Sequence, residues 1–356
     1  MHTDLWRLLG SDRLPWRAEL AQIVGHFNRK HAIKDKDVSH KTREDRREFY
    51  FAFFTELREN PDAPMRVRPH GLGNRHVAFM VRRWVDRALE PGTIQLYLSY
   101  LRTFAEWIGH TGMVLPAEKY VDDPARVERS YAAAADKSWS AHGIVPDAKI
   151  AEVAAFDRYV GCQLLMALRF NLRVKEAVMC PPHTAEVEGQ LEVKRGTKGG
   201  RLRFVPIDTP EKRAALEAAK RCVESKSAHL GRPGKTLEQN LERFRYVMRK
   251  FGITKAMLGV TAHGLRHEYA NDRYEEFAGV PSPVRGGAPI EREADRAARL
   301  RLAEELGHGR RAVTSAYIGA TLKPTRAPPA GDVSTCGHQA EAATTTANSA
   351  RLGSES

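Results

Sequence analysis

The chain has 356 residues but no apolar run of the eighteen or more that a membrane-spanning helix needs, so no span is expected. Cysteine is scarce. Cys162, Cys180, Cys222 and Cys336 are scattered, at spacings that suit neither a disulfide framework nor a metal site. A reduced chain without a structural metal is the simplest reading. The opening MHTDLWRLLGSDRLPW lacks the basic start and apolar stretch of a secretion signal, which leads to an expected cytoplasmic location. No acidic cluster calls for a catalytic metal and no Gly-x-x-x-x-Gly-Lys loop calls for ATP. No cofactor is therefore expected, and no internal repeat is evident.

What the chain does have is apolar residues at 42% and a formal charge of +13. The first is enough for buried cores, which argues against a disordered protein. The second, with a pI near 9.7, points to an anionic partner such as DNA, RNA or acidic lipid, or equally to a charged solvating surface. At this length two domains and a tail are expected.

Residues 1 to about 140 read as helical. Leu20, Ile23, Val24 and Phe27 recur at helical spacing, as do Phe49, Phe53, Phe54 and Leu57 after a start signal at Ser39–Thr42. Val77, Met80, Val81, Trp84 and Val85 form a third stripe. Ile94, Leu98, Leu101, Phe104, Trp107 and Ile108 form a fourth, with Thr93 as its expected cap. These aromatics read as core. The basic residues between them, Lys41, Arg43, Arg46, Arg47, Arg82, Arg83 and Arg102, read as candidate phosphate contacts. A connector is expected at 138–147. Beyond it, helices alternate with a change of period at 185–207, where short β-prone runs are split by Gly189-Gln190 and by Thr197-Lys198-Gly199-Gly200. This predicts a small three-stranded antiparallel sheet with Lys198 at the tip of its second hairpin. Helices are expected at 210–227, at 236–251 and at about 291–306. Residues 278–293, rich in proline and glycine, read as an exposed loop, and 324–356 read as a disordered tail.

The fold class expected is thus mainly α (α+β). An N-terminal extension spans 1–30, a helical domain 31–140, and a mostly helical domain with the small sheet 141–323. In that last domain lie Arg173, Lys198, His263, Arg266, His308 and Tyr317. His263 and Arg266 share a helix face, since residues three apart are neighbours, and Thr261 is placed to cap that helix. A tyrosine among cations suits attack on a phosphodiester, which needs a nucleophile and neutralisation of developing charge.

In this order the residues resemble the tyrosine recombinase (phage integrase) family. The first box matches Phe170-Asn171-Leu172-Arg173-Val174-Lys175-Glu176, and the hairpin lysine matches Lys198 in TKGGRLRFVPI. The second box matches HGLRH at 263–267. Leu306-Gly307-His308 followed nine residues later by Tyr317 matches the third. Asn171 replaces the family's usual glycine, a substitution a left-handed turn tolerates. His308 follows Arg266 by 42 positions, a longer gap than the family's, and the excess coincides with 278–293, read as an insertion.

The resemblance implies a helical core-binding domain over 31–140 and a catalytic domain over 141–323. It implies a site-specific recombinase, for integration or excision of a mobile element, that cuts and rejoins double-stranded DNA without a cofactor. Tyr317 would form a 3′-phosphotyrosyl link. Arg173 and Arg266 would hold non-bridging oxygens, Lys198 would protonate the departing 5′-oxygen, His263 would assist proton transfer and His308 would donate a further hydrogen bond. Lys194 and Arg201 flank the hairpin as DNA-backbone contacts, with Lys194 a rival for the acid role. Glu176 reads as orienting an arginine, and His267 as a packing residue. Tyr159, Tyr269 and Tyr274 read as helix packing rather than as nucleophiles. A homotetramer on paired sites, accessory DNA-bending or directionality proteins and a nucleoid-associated location are further implications. The alternatives are a type IB topoisomerase, which shares these residue types, and a non-catalytic DNA-binding protein of the same fold.

Overall fold

The computed structural model describes residues 14–29, 37–63, 67–307 and 310–322. The chain divides into two compact units, Met1–Tyr131 and Ala132–Ser356. Among the described residues, no helix is long and apolar enough to cross a membrane.

The first unit is a bundle of α1 (Trp16–Phe27), α2 (His40–Glu59), α3 (Asn74–Asp86) and α4 (Pro91–Trp107). Each helix turns its apolar stripe inward, and the four stripes form one buried cluster that includes Leu20, Phe54, Met80 and Phe104. The aromatics are core, as their spacing predicts. Ser39 caps α2 by accepting a hydrogen bond from the Thr42 amide at 3.2 Å. In α4 the expected cap is displaced. Pro91 occupies the first turn, its fixed φ suiting that position, so the helix starts two residues before Thr93.

The second unit contains α5 (Pro146–Phe156), α6 (Arg158–Phe170) and α7 (Val174–Met179), then strands β1 (Glu186–Val187), β2 (Gln190–Val193) and β3 (Arg203–Pro206). Helices α8 (Pro210–Cys222), α9 (Leu237–Lys250), α10 (Gly264–Ala278), α11 (Arg292–Glu305) and the single turn α12 (Ser315–Ile318) follow. The three strands form the predicted antiparallel sheet in the order β1-β2-β3, with Leu191 opposite Glu186 on one side and Val205 on the other. The first hairpin turns on Glu188 and Gly189, both left-handed, so Gln190 already belongs to β2. Helix α8 stops at Cys222, short of the expected 227.

Of residues 138–144, expected as a connector, 140–143 are exposed, while Ser138 and Trp139 are buried in the second unit. Trp139 is fully buried in the cluster that holds Ile150, Leu164 and Leu265. Its indole N–H donates to the Thr261 carbonyl at 2.8 Å. Small and polar neighbours masked this role, because one tryptophan carries enough apolar surface to anchor a segment.

Candidate active site

Helix α6 ends on Asn171, whose left-handed conformation (φ 54°, ψ 34°) reverses the chain toward Arg173. The turn puts the Asn171 carbonyl in reach of two arginines, Arg266 and, at 3.2 Å, Arg203. Arg173 then opens α7, and Glu176 one turn later reaches back to it. The Glu176 carboxylate accepts from the Arg173 amide at 2.8 Å and from its guanidinium at 2.7 Å. It also takes both terminal nitrogens of Arg203, at 2.7 and 3.0 Å. Burial alone would raise the Glu176 carboxyl, but the hydrogen bonds and charges of Arg203 and Arg173 overcome it and hold it down at about 2. Glu176 is therefore an anion at any working pH, and it fixes the reach of Arg173.

Helix α10 supplies the opposite wall. His263 is its N-cap residue. Thr261, expected as the cap, does its holding through its main chain, since its carbonyl accepts from Gly264 and Trp139. Gly264 is required by close approach, since a Cβ there would lie 2.7 Å from the Trp139 ring and 2.8 Å from the Lys137 carbonyl. Arg266 is only 1% exposed. Its guanidinium donates to Asn171 and, at 3.3 Å, to the Tyr317 hydroxyl, while its Nε has no hydrogen-bond partner among the described residues. Burial lowers its pKa, and the neighbouring Arg173 adds to the effect while Tyr317 opposes it.

Tyr317 is buried on α12 and packs against both histidines of the second box. Its ring centroid is 4.9 Å from that of His267 and 5.7 Å from that of His263. His263 is exposed, yet the protein bulk around it and then Arg266, His267, Arg173 and Lys137 push it down to about 4. His267 is pushed to the same range, mainly by burial. Both imidazoles are neutral near pH 7.

The site thus brings together Tyr317, Arg173, His263 and Arg266. The backbone places Lys198 on the turn between β2 and β3, and its side chain lies outside what the structure describes. His308 also lies outside the described residues. Tyr269 and Tyr274 are engaged elsewhere, donating to Glu305 at 2.6 Å and to Asp295 at 2.7 Å. Tyr159 is buried in the apolar cluster at α6 and α8.

Sequence reasoning missed Arg203, while His267, read as a packing residue, is buried against the Tyr317 ring. In β3, Arg203 and Val205 point inward while Phe204 points out. A period of two therefore puts an arginine on an apolar face, which was the available signal that it must meet a buried carboxylate.

The basic residues offered as phosphate contacts divide. In the second unit Lys194 and Arg201 are exposed. In the first, Lys41, Arg47, Arg82 and Arg102 are exposed, although Lys41 pairs with Asp45 at 2.6 Å and Arg102 donates to the Leu115 carbonyl at 2.8 Å. Arg83 is half-buried and tied to Glu56 at 3.2 Å, and Arg43 is half-buried. Arg46 does not face solvent. It is 7% exposed, on the inner side of α2, so its part is in packing.

A sequence model of the Integrase family matches residues 135–272, a span that includes Arg173, Lys198, His263 and Arg266 and stops before Tyr317. No curated protein sequence matches the chain. Among solved structures the chain is similar to a lambda integrase dimer bound to a COC′ core site, at 18% identity over 85% of this chain and 93% of that one, with a TM-score of 0.52. It is similar to a lambda integrase tetramer bound to a Holliday junction, at 17% identity over 89% of this chain and 84% of that one, TM-score 0.52. A Tn1549 transposon integrase in complex with circular intermediate DNA aligns at 13% identity, covering 85% and 96%, TM-score 0.51. At these identities the likeness is one of fold. Residues 135–272 thus match the Integrase family model, and the chain shares the fold of these integrases.

Proposed function

We propose that the protein is a site-specific DNA recombinase that cuts and rejoins duplex DNA through a 3′-phosphotyrosine, in the integration or excision of a mobile element. The observation that carries this reading is the Tyr317 hydroxyl held 3.3 Å from the buried Arg266 guanidinium, with two neutral imidazoles against its ring. Tyr317 attacks the scissile phosphate, the O–P bond to tyrosine forms as the bond to the 5′-oxygen breaks, and a 5′-hydroxyl leaves. Arg266 and Arg173 take the non-bridging oxygens. Their planar forks suit a phosphate, and Glu176 holds Arg173 in its rotamer. His263 assists the tyrosine proton. A phosphate entering among these cations adds negative charge and raises the imidazole from its depressed value toward neutrality, where a proton acceptor works best. Lys198 is assigned to the 5′-oxygen and His308 to a phosphate oxygen. Exposed Lys41, Arg47, Arg82, Arg102, Lys194 and Arg201 are assigned to the DNA backbone. The neighbours' DNA complexes, one of them a tetramer, support duplex DNA as the partner and a tetrameric assembly on paired sites.

The test is a DNA carrying the attachment sequence with a nick beside the cleavage position. Wild type should trap a covalent adduct and Tyr317→Phe should not. No adduct from wild type would leave a non-catalytic DNA-binding protein. Relaxation of plain supercoiled plasmid by the monomer would favour a type IB topoisomerase.

A further inference from the structure

The segment 278–293 is expected as an exposed loop, yet its stretch 279–291 is fastened to the second unit. Ser282 is fully buried and donates to the Asn271 side chain at 2.5 Å. Arg285 spreads one guanidinium over three carboxylates: Asp136 at 2.9 Å, Asp272 at 2.6 Å and Glu268 at 3.0 Å. Glu268 and Asp272 lie one turn apart on α10, the helix that carries His263 and Arg266. Asp136 belongs to the stretch just before Trp139. One arginine therefore ties the loop to the two segments that build the wall around Tyr317.

The neighbouring residues of the same loop bear on the nucleophile's own element. Gly319 follows Tyr317 by two positions and leaves α12 at φ 85°, ψ 175°, a conformation only glycine adopts readily. A Cβ built there would stand 2.9 Å from Val284 Cγ1 and 3.4 Å from Pro283 Cβ. The loop thus closes against the exit of α12. A helix of four residues cannot hold itself, because its nucleation cost exceeds what one turn returns. Its position depends on what touches it.

We propose that 279–291 is a strap that positions Tyr317, with Arg285 as the positioning residue that anchors it and Val284 as the contact that bears on α12. This rests on the recombinase reading for its consequence in catalysis. The hydrogen-bond partners of Arg285 are Asp136, Ser138, Asp272 and Glu268, not Tyr317. Arg285 acts through the loop, so its loss should slow attack without weakening DNA binding.

The experiment compares wild type, Arg285→Ala, Arg285→Lys and Val284→Ala in the full chain. The rate of adduct formation on the nicked site is measured at saturating protein, alongside DNA affinity by band shift. Misplacing a nucleophile by about an ångström is worth roughly 10–100-fold, so Arg285→Ala and Val284→Ala should lose that much rate at unchanged affinity. Arg285→Lys, which keeps the charge but not the three-way fork, should fall between. Unchanged rates would overturn the strap. So would equal losses of affinity and rate in Val284→Ala, which would mark a general loss of structure. Hydrogen exchange supplies a readout independent of chemistry. In Arg285→Ala, faster exchange should appear at 279–291 and 310–322. No change at 310–322 would overturn the proposal even if wild type formed no adduct, an outcome that would sink the recombinase reading alone.

Discussion

Arg203, Glu176 and Arg173 form a chain in which a buried anion is shared by a buried cation and a half-exposed one. Removing Glu176 would leave Arg203 charged and unmatched in the core, and breaking such a pair costs about 3–5 kcal/mol. Glu176→Ala should show that loss in denaturant unfolding, and any folded fraction should form adduct slowly because Arg173 is no longer held. Glu176→Gln keeps acceptor geometry without charge and should fall between. The histidines carry a pH signature. His263 and His267 bind protons at about 4 in the folded state, below the ordinary value of 6.5. As pH falls from 6.5 toward 4 the unfolded chain takes up protons that the folded one refuses, so stability is lost over that window. It is full above it. Glu176, held at about 2, adds a loss only below its ordinary 4.5. A His263→Asn/His267→Asn double variant should flatten the stability curve between pH 6.5 and 4.5. A curve as steep as wild type's would mean the imidazoles are not held neutral.

At the scale of elements, the site depends on where helices stop. Asn171 ends α6 in the left-handed region, and its side-chain amide has no hydrogen-bond partner among the described residues. Backbone conformation, then, is its contribution. Asn171→Gly should be tolerated within about 1 kcal/mol, whereas Asn171→Val should cost about 2 kcal/mol or more and displace the carbonyl that orients Arg266. Thermal unfolding and adduct rate should track each other across the pair. The same dependence governs α12. Arg299 donates to the Gly319 carbonyl at 3.1 Å, Thr321 donates to Asp295 at 3.0 Å, and the Ala133 amide donates to the Ser315 carbonyl at 2.8 Å. These contacts come from α11 and from the segment at Ala133, both remote in sequence, which is why no local pattern around Tyr317 foretold how its helix is held.

For the whole molecule, the +13 charge matters through its distribution. Arg46 and Arg47 are adjacent on α2, but one is buried and the other exposed. Arg47→Ala should lower DNA affinity for every sequence and reduce the slope of log affinity against log salt by about 1. Arg46→Ala should leave that slope alone and lower stability instead. A reduced slope for Arg46→Ala would return it to the DNA-facing set.

Much was legible in the linear order. Apolar spacing foretold the helices of the first unit, and turn chemistry foretold the three-stranded sheet, because both arise from local periodicity and local backbone preference. The boxes around Arg173, His263 and Arg266 were legible because their spacing is set within single turns. Tertiary structure alone decided which arginines are buried, that Glu176 meets Arg203 across 27 positions, that Trp139 anchors what read as a connector, and that Arg285 fastens a proline- and glycine-rich loop. Each is a meeting of residues far apart in sequence. The free energy of burying a charge or an aromatic ring depends on the partner it meets in space, and that partner is not encoded by neighbours along the chain.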